Sequence, residues 1–141
     1  MNFALLTSIN YLAVAVSTII YFLLGSLWFS TLFGTMWAQE LAQHNVIIKE
    51  PTAGDMMFKS LLTLITNFVT CLALACLISL TGISGIFSGF TFGLLSAVGV
   101  AATTLATTFV WESRSIKLFL LDIGYPMLGI IVSSVIFALW Q

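Results

Sequence analysis

Four stretches of this chain, about residues 9–33, 57–80, 86–111 and 116–140, each run for two dozen residues with scarcely a charge. A hydrocarbon core of about 30 Å is crossed by roughly 20 helical residues, so every stretch is long enough to span a bilayer. Together they take up most of the 141 residues and leave no room for a soluble domain. Composition agrees, with 60% hydrophobic and 6% charged residues and a mean hydropathy of +1.16, values that a soluble globule does not show. The runs are continuous rather than alternating over about ten residues, which excludes barrel strands. The expected fold is an all-α integral membrane protein: one domain, residues 1–141, forming an antiparallel four-transmembrane-helix bundle. The bilayer is its expected partner, and a chain so poor in basic residues offers nucleic acid no footprint.

The opening "MNFALLTSIN" has no Lys or Arg before the apolar run and no small-residue cleavage site, so the first run reads as a retained span. All four basic residues, Lys49, Lys59, Arg114 and Lys117, fall in or beside the connections between runs 1 and 2 and between runs 3 and 4. The positive-inside rule then places both connections in the cytoplasm and both termini on the periplasmic or extracellular side of a bacterial inner membrane. Trp37 and Trp111 fall at the cytoplasmic level, Tyr11 and Trp140 at the opposite one.

The long first connection, "FGTMWAQELAQHNVIIKEPTAGD", starts with Met36, Trp37 and Leu41 on one apolar face and Gln39, Glu40 and Gln43 elsewhere. That pattern predicts a short interfacial helix. Pro51 interrupts it, and Thr52 or Asp55 can cap the second span. His44, the single histidine, reads as a solvated loop residue, since a metal site needs several ligands; no metal and no cofactor is expected. Cys71 and Cys76 point about 140° apart on one helix and cannot bridge each other.

Along the third run Gly85, Gly89, Gly93, Ala97 and Ala101 recur every fourth residue. Such a stripe admits a close helix neighbour, in the same chain or in a second copy, and its length favours a homo-oligomer. Thr103, Thr104, Thr107 and Thr108 follow; their hydroxyls bond back to their own helix or form a polar lining, with the first reading favoured. Asn67 sits on a narrow polar edge of the second run, as interhelical glue or as a ligand contact. Trp28, Phe29 and Phe33 read as packing and anchoring.

The fourth run carries the feature that needs a cause. Glu112, Arg114 and Lys117 mark the cytoplasmic boundary, but Asp122 stands six residues, about 9 Å, beyond a span start near Ile116, deeper than a short side chain snorkels. Ser115, Asp122, Tyr125, Gly129 and Ser133 share one face, with Leu120, Leu121, Ile123, Leu128 and Ile131 turned outward to lipid or to neighbouring apolar surface. Pro126 removes the N–H that would bond the carbonyl of Asp122. Intramembrane carboxyl groups mark ligand or ion pathways, and the candidates for one are Asp122, Tyr125, Asn67, Thr103 and Thr107.

"INYLAVAVSTIIYFLLGSLWFSTLFGTMW" and, much later, "FVWESRSIKLFLLDIGY" resemble the bacterial domain-of-unknown-function family seventeen sixty-one. The shared pattern is Asn10-Tyr11, Ala13-Val14, Gly25 with Trp28, Phe33-Gly34 with Trp37, then Glu112, Lys117 to Phe119, and Gly124-Tyr125. The resemblance implies four spans and no activity. It also implies Asn at the position of Asp122 and His at that of Pro126. Three functions follow: a polar cleft binding or moving a small solute or ion; an accessory or structural protein; or, least supported, an enzyme on a lipophilic substrate with Glu112 and His44 as acid and base. No catalytic residue is assigned.

Overall fold

A computed structural model describes residues 7–44 and 52–140. The expected interruption at Pro51 and the basic Lys49 lie outside those residues. Among the described residues the chain is helical, with four helices long and apolar enough to cross a membrane: span 1, Tyr11–Leu32; span 2, Ala53–Thr81; span 3, Ile86–Trp111; and span 4, Ile116–Leu139. The protein is an all-α membrane helix bundle. Between spans 1 and 2 lies the expected short helix, Gly34–Gln43.

Local sequence sets most of the ends. Asn10 caps span 1 by accepting from the amide of Ala13 at 3.1 Å, and Ser115 caps span 4 by accepting from that of Leu118 at 3.1 Å. Thr52 and Asp55 form a reciprocal capping box at the start of span 2, which therefore begins at Ala53, earlier than hydropathy alone suggests. Gly82 ends span 2 at φ 65° and Gly85 opens span 3 at φ 89°, conformations that side chains disfavour; the tight turn between these spans depends on both.

Spans 1 and 3 each contain a wider π-helical turn, at Trp28–Leu32 and Ala97–Ala102. The first leads straight into a sharp corner at Phe33, after which Gly34 passes so close to the Phe29 carbonyl that a side chain there would collide with it. This corner aims the interfacial helix back across the end of the bundle.

Span 4 is the centre of the architecture. It lies against spans 1, 2 and 3 and the interfacial helix, while span 3 packs chiefly on span 4 and spans 1 and 2 pair with each other. Of the residues turned away from its polar face, Leu121 and Ile123 are buried against neighbouring apolar surface rather than facing lipid, because a helix with neighbours on nearly every side has no broad outer face. Leu120 and Leu128 do remain exposed.

The small-residue stripe is spent within the chain. A methyl group on Gly89 would lie 2.7 Å from Ala138 Cβ, and one on Gly93 2.8 Å from Ile131 Cα, so these glycines bring span 3 onto the backbone of span 4. Gly85 donates its N–H to the Ala138 carbonyl at 3.0 Å, and Ala97 is fully buried, with Ala101 packed at the edge of the same core. The stripe thus no longer argues for a second copy.

Candidate functional site

Three glycines seat three aromatic rings across the contact between spans 1 and 4. Gly25 of span 1 leaves room for the ring of Tyr125, while Gly124 and Gly129 of span 4 leave room for Trp28 and Tyr21. The exchange is reciprocal, each helix offering notches to the other's rings. Held this way, the side chains of span 1 reach the backbone around Pro126: Trp28 Nε1 donates to the Leu121 carbonyl at 2.9 Å and the Tyr21 hydroxyl to the Pro126 carbonyl at 3.3 Å. Backbone irregularity in a membrane helix persists where neighbouring groups satisfy it, and this packing supplies donors at the level where proline withholds one.

Asp122 sits at the same level. Its Oδ1 accepts from Trp37 Nε1 of the interfacial helix at 2.7 Å, and among the described residues no cation lies within ion-pair distance. Trp37 stacks edge-on to Phe29 with centroids 5.5 Å apart, and Phe29 meets Tyr125 at 6.0 Å. The Tyr125 hydroxyl donates to Asn67 Oδ1 of span 2 at 2.9 Å, so aromatic rings link the carboxylate to the amide without a break. Asn67 is 5% exposed, and its Nδ2 has no hydrogen-bond partner among the described residues. Deeper along the core, the hydroxyls of Ser17 and Ser134 are likewise buried and unpartnered, and Ser133 Oγ lies 3.6 Å from Cys71 Sγ.

Of the residues expected to line a pathway, Asp122, Tyr125 and Asn67 are therefore brought together. Thr103 and Thr107 are not. Both are exposed on the outer side of span 3, with their hydroxyls bonded to the Gly99 and Thr103 carbonyls at 2.8 and 3.1 Å. Thr103 follows Ala101 by two residues, about 200° around a helix, so a stripe turned towards span 4 turns the threonines away.

The boundary charges divide between two local structures. Glu112 pairs with Arg114 at 2.6 Å, and the Arg114 guanidinium lies 5.6 Å from the centre of the Phe109 ring. Lys117 instead reaches Glu40 of the interfacial helix at 2.6 Å, and Glu40 also accepts from the Ser115 hydroxyl at 3.0 Å. Glu40 is 4% exposed, buried against the start of span 4 although it lies off the apolar face of its helix. The solvated reading of His44 is corrected: its Nε2 accepts from the Ser115 amide at 3.1 Å. Nothing local in the sequence marks Glu40 or His44, whose partners lie more than 70 residues away; only the excess of cations near residues 114–117 hints at a missing anion.

Glu40, His44 and Trp37 together fasten the interfacial helix to the start of span 4. The Lys117 ammonium and the Ser115 hydroxyl hold the Glu40 carboxyl below the usual carboxylate range. A carboxyl depressed in the folded state adds stability above its unfolded pKa, and that contribution is lost as pH falls through the folded value. Lys117 is half exposed, so solvent screens the pair and the effect is modest. We expect the thermal midpoint of the wild type to fall more steeply than that of Glu40→Gln as pH is lowered through the carboxylate range, measured in detergent over a pH series. Parallel curves would show that the pair contributes nothing.

The fold and this site define a small multi-pass membrane protein with a polar group held inside the bundle. Residues 12–138 match the family model described as Protein of unknown function (DUF1761), and the chain belongs to that family. No curated relative and no solved structure matches the chain. Among the described residues no three His, Cys, Asp or Glu side chains are grouped to hold a metal ion.

Proposed function

We propose that this protein binds a small cation, or a small solute carrying one, at the Asp122 carboxylate, and passes it along the polar and aromatic path to Tyr125 and Asn67. The observation that carries this reading is a carboxylate inside a membrane helix with one neutral hydrogen-bond donor and no cation within ion-pair distance among the described residues. Such a group is costly in hydrocarbon and is kept where it meets an ion, a proton or a charged ligand. The surrounding rings of Trp37, Phe29 and Tyr125 favour a cation further, because aromatic faces attract positive charge. Asn67 Nδ2 adds a buried donor free to bind a solute oxygen or water.

The placement of all basic residues beside two connections supports a bacterial inner membrane protein with those connections in the cytoplasm and both termini outside. Homo-oligomerisation stays part of the proposal, without support from the glycine stripe. Liposomes containing wild-type protein are expected to pass protons or monovalent cations at a rate that Asp122→Asn lowers at least tenfold. Wild-type liposomes no leakier than empty ones would remove transport from the proposal.

One observation favours an accessory or structural role instead. Trp37–Asp122, Glu40–Lys117 and His44–Ser115 all join the same two elements, so Asp122 also serves as part of a latch. In that case Asp122→Asn, which can still accept from Trp37, leaves stability and every ion response unchanged.

A further inference from the structure

Among the described residues the first half of span 2 is only loosely covered. Every residue from Thr52 to Thr66 is exposed, and Asn67 is the first buried one. Beyond that point the helix closes on the bundle, with Cys71, Leu74, Ala75 and Ile78 in the core beside Ala13 and Val14 of span 1. Spans 1 and 2 therefore splay apart over half their length.

Two clefts follow one another along the opened seam. The one nearer the interfacial helix, about 280 Å³, is lined by Phe22, Phe29, Lys59, Ser60, Thr63 and the inner wall formed by Tyr125. The next, about 330 Å³, is lined by Ala15, Thr18, Ile19, Leu64, Ile65 and Phe68 and is almost wholly apolar. From Lys59 to Phe68 is nine residues, about 14 Å at about 1.5 Å each. That is close to one leaflet's share of a hydrocarbon core of about 30 Å.

Charge is placed at one end only. Among the described residues Arg114 and Lys117 are each paired with a glutamate, whereas Lys59 makes no ion pair. Its acidic neighbour Asp55, one turn earlier, feels the Lys59 charge but is hydrogen-bonded to the amide and hydroxyl of Thr52 at 3.2 and 2.7 Å rather than to the ammonium. Among the described residues the seam thus offers an ammonium outside any ion pair and hydroxyls at one end, with mostly apolar clefts at two successive levels between the same two spans.

We infer that this seam is a binding site for an anionic phospholipid, its phosphate at Lys59 and one acyl chain lying between spans 1 and 2 down to Phe68. A second copy of the chain would cover the apolar half without using the lysine. The inference is independent of the role proposed for Asp122.

The test is native mass spectrometry of the full chain, released from bilayers of equal parts phosphatidylglycerol and phosphatidylcholine with matched acyl chains. The wild type is expected to retain phosphatidylglycerol over phosphatidylcholine by about fivefold, the scale of one lysine beside an anionic headgroup. Lys59→Gln loses that preference and Lys59→Arg keeps it, while Ser60→Trp, which fills the cleft, loses bound lipid of both kinds. Glycerol phosphate without acyl chains does not displace the lipid; displacement would make the site one for a free phosphate and overturn the inference. Equal retention of the two lipids by the wild type, or a lipid-free dimer, would overturn it as well. Asp122→Asn leaves the lipid preference unchanged, which separates this result from the fate of the cation proposal.

Discussion

Gly129→Ala is expected to destabilise the protein by about 1–3 kcal/mol, the usual range for overpacking a filled interior. A methyl group there would overlap three atoms of the Tyr21 ring, which is itself buried. Tyr21 is 4% exposed, meets Tyr125 edge-on at 5.2 Å and donates to the Pro126 carbonyl. Moving it gives up an aromatic contact of about 0.5–1.5 kcal/mol and an interhelical hydrogen bond of about 0.6–2 kcal/mol. The check is thermal unfolding in detergent, with Tyr21→Leu and the double variant completing a cycle. If Gly129 matters because it houses the ring, the double variant recovers part of the loss. Strict additivity of the two single effects would contradict the notch.

Trp28→Ala is expected to cost about 3–5 kcal/mol, the range for truncating a packed tryptophan, and towards the lower end because Trp28 keeps some exposure. Two interactions go at once: the ring seated on Gly124 and the donor to the Leu121 carbonyl. Trp28→Phe separates them, since it keeps most of the ring and removes only the N–H. The structure predicts an intermediate loss for Trp28→Phe in chemical denaturation. A phenylalanine variant as unstable as the alanine one would mean that the hydrogen bond alone counts; one equal to wild type would mean that it counts for nothing.

The spans were legible in the sequence because crossing a bilayer imposes a length and a hydropathy that few other structures share. The closeness of span 3 to another helix was legible for a related reason, since Gly89 and Gly93 have no other use in so apolar a run. Which helix it meets was not, because a small-residue stripe is blind to its partner. The same holds for the site. Asp122, Tyr125 and Asn67 stood out as polar groups at membrane depth; Tyr125 bonds Asn67 directly, while Asp122 reaches them only through the rings of Trp37 and Phe29. Trp37 and Glu40, which fix the carboxylate and the nearby lysine, looked like ordinary members of an amphipathic helix. Their roles depend on the corner at Phe33 and Gly34, which turns that helix back onto span 4, and no local periodicity records a turn of that kind.

For Thr103 and Thr107 the favoured reading holds, since their hydroxyls bond back to their own helix. A run of hydroxyls suggests a lining only if the helix presents that side inward, and the glycine stripe two residues earlier had already set the inward side. Taken together, the stripe and the helical repeat predict their exposure. Leu121 and Ile123 meet neighbouring apolar surface rather than lipid because span 4 is the element around which the others pack, an arrangement that no pattern within one helix records.

The most direct measurement is an infrared difference spectrum of the protein in bilayers on addition of a monovalent or small organic ammonium cation. The chain has only five acidic side chains, so one carboxylate band can be assigned by comparing wild type with Asp122→Asn. The account predicts a cation-induced shift in a carboxylate band that is present in the wild type and absent from Asp122→Asn. A wild-type spectrum in which no carboxylate band responds to any such cation would contradict it, and would leave Asp122 as the hydrogen-bond acceptor that holds Trp37 in place.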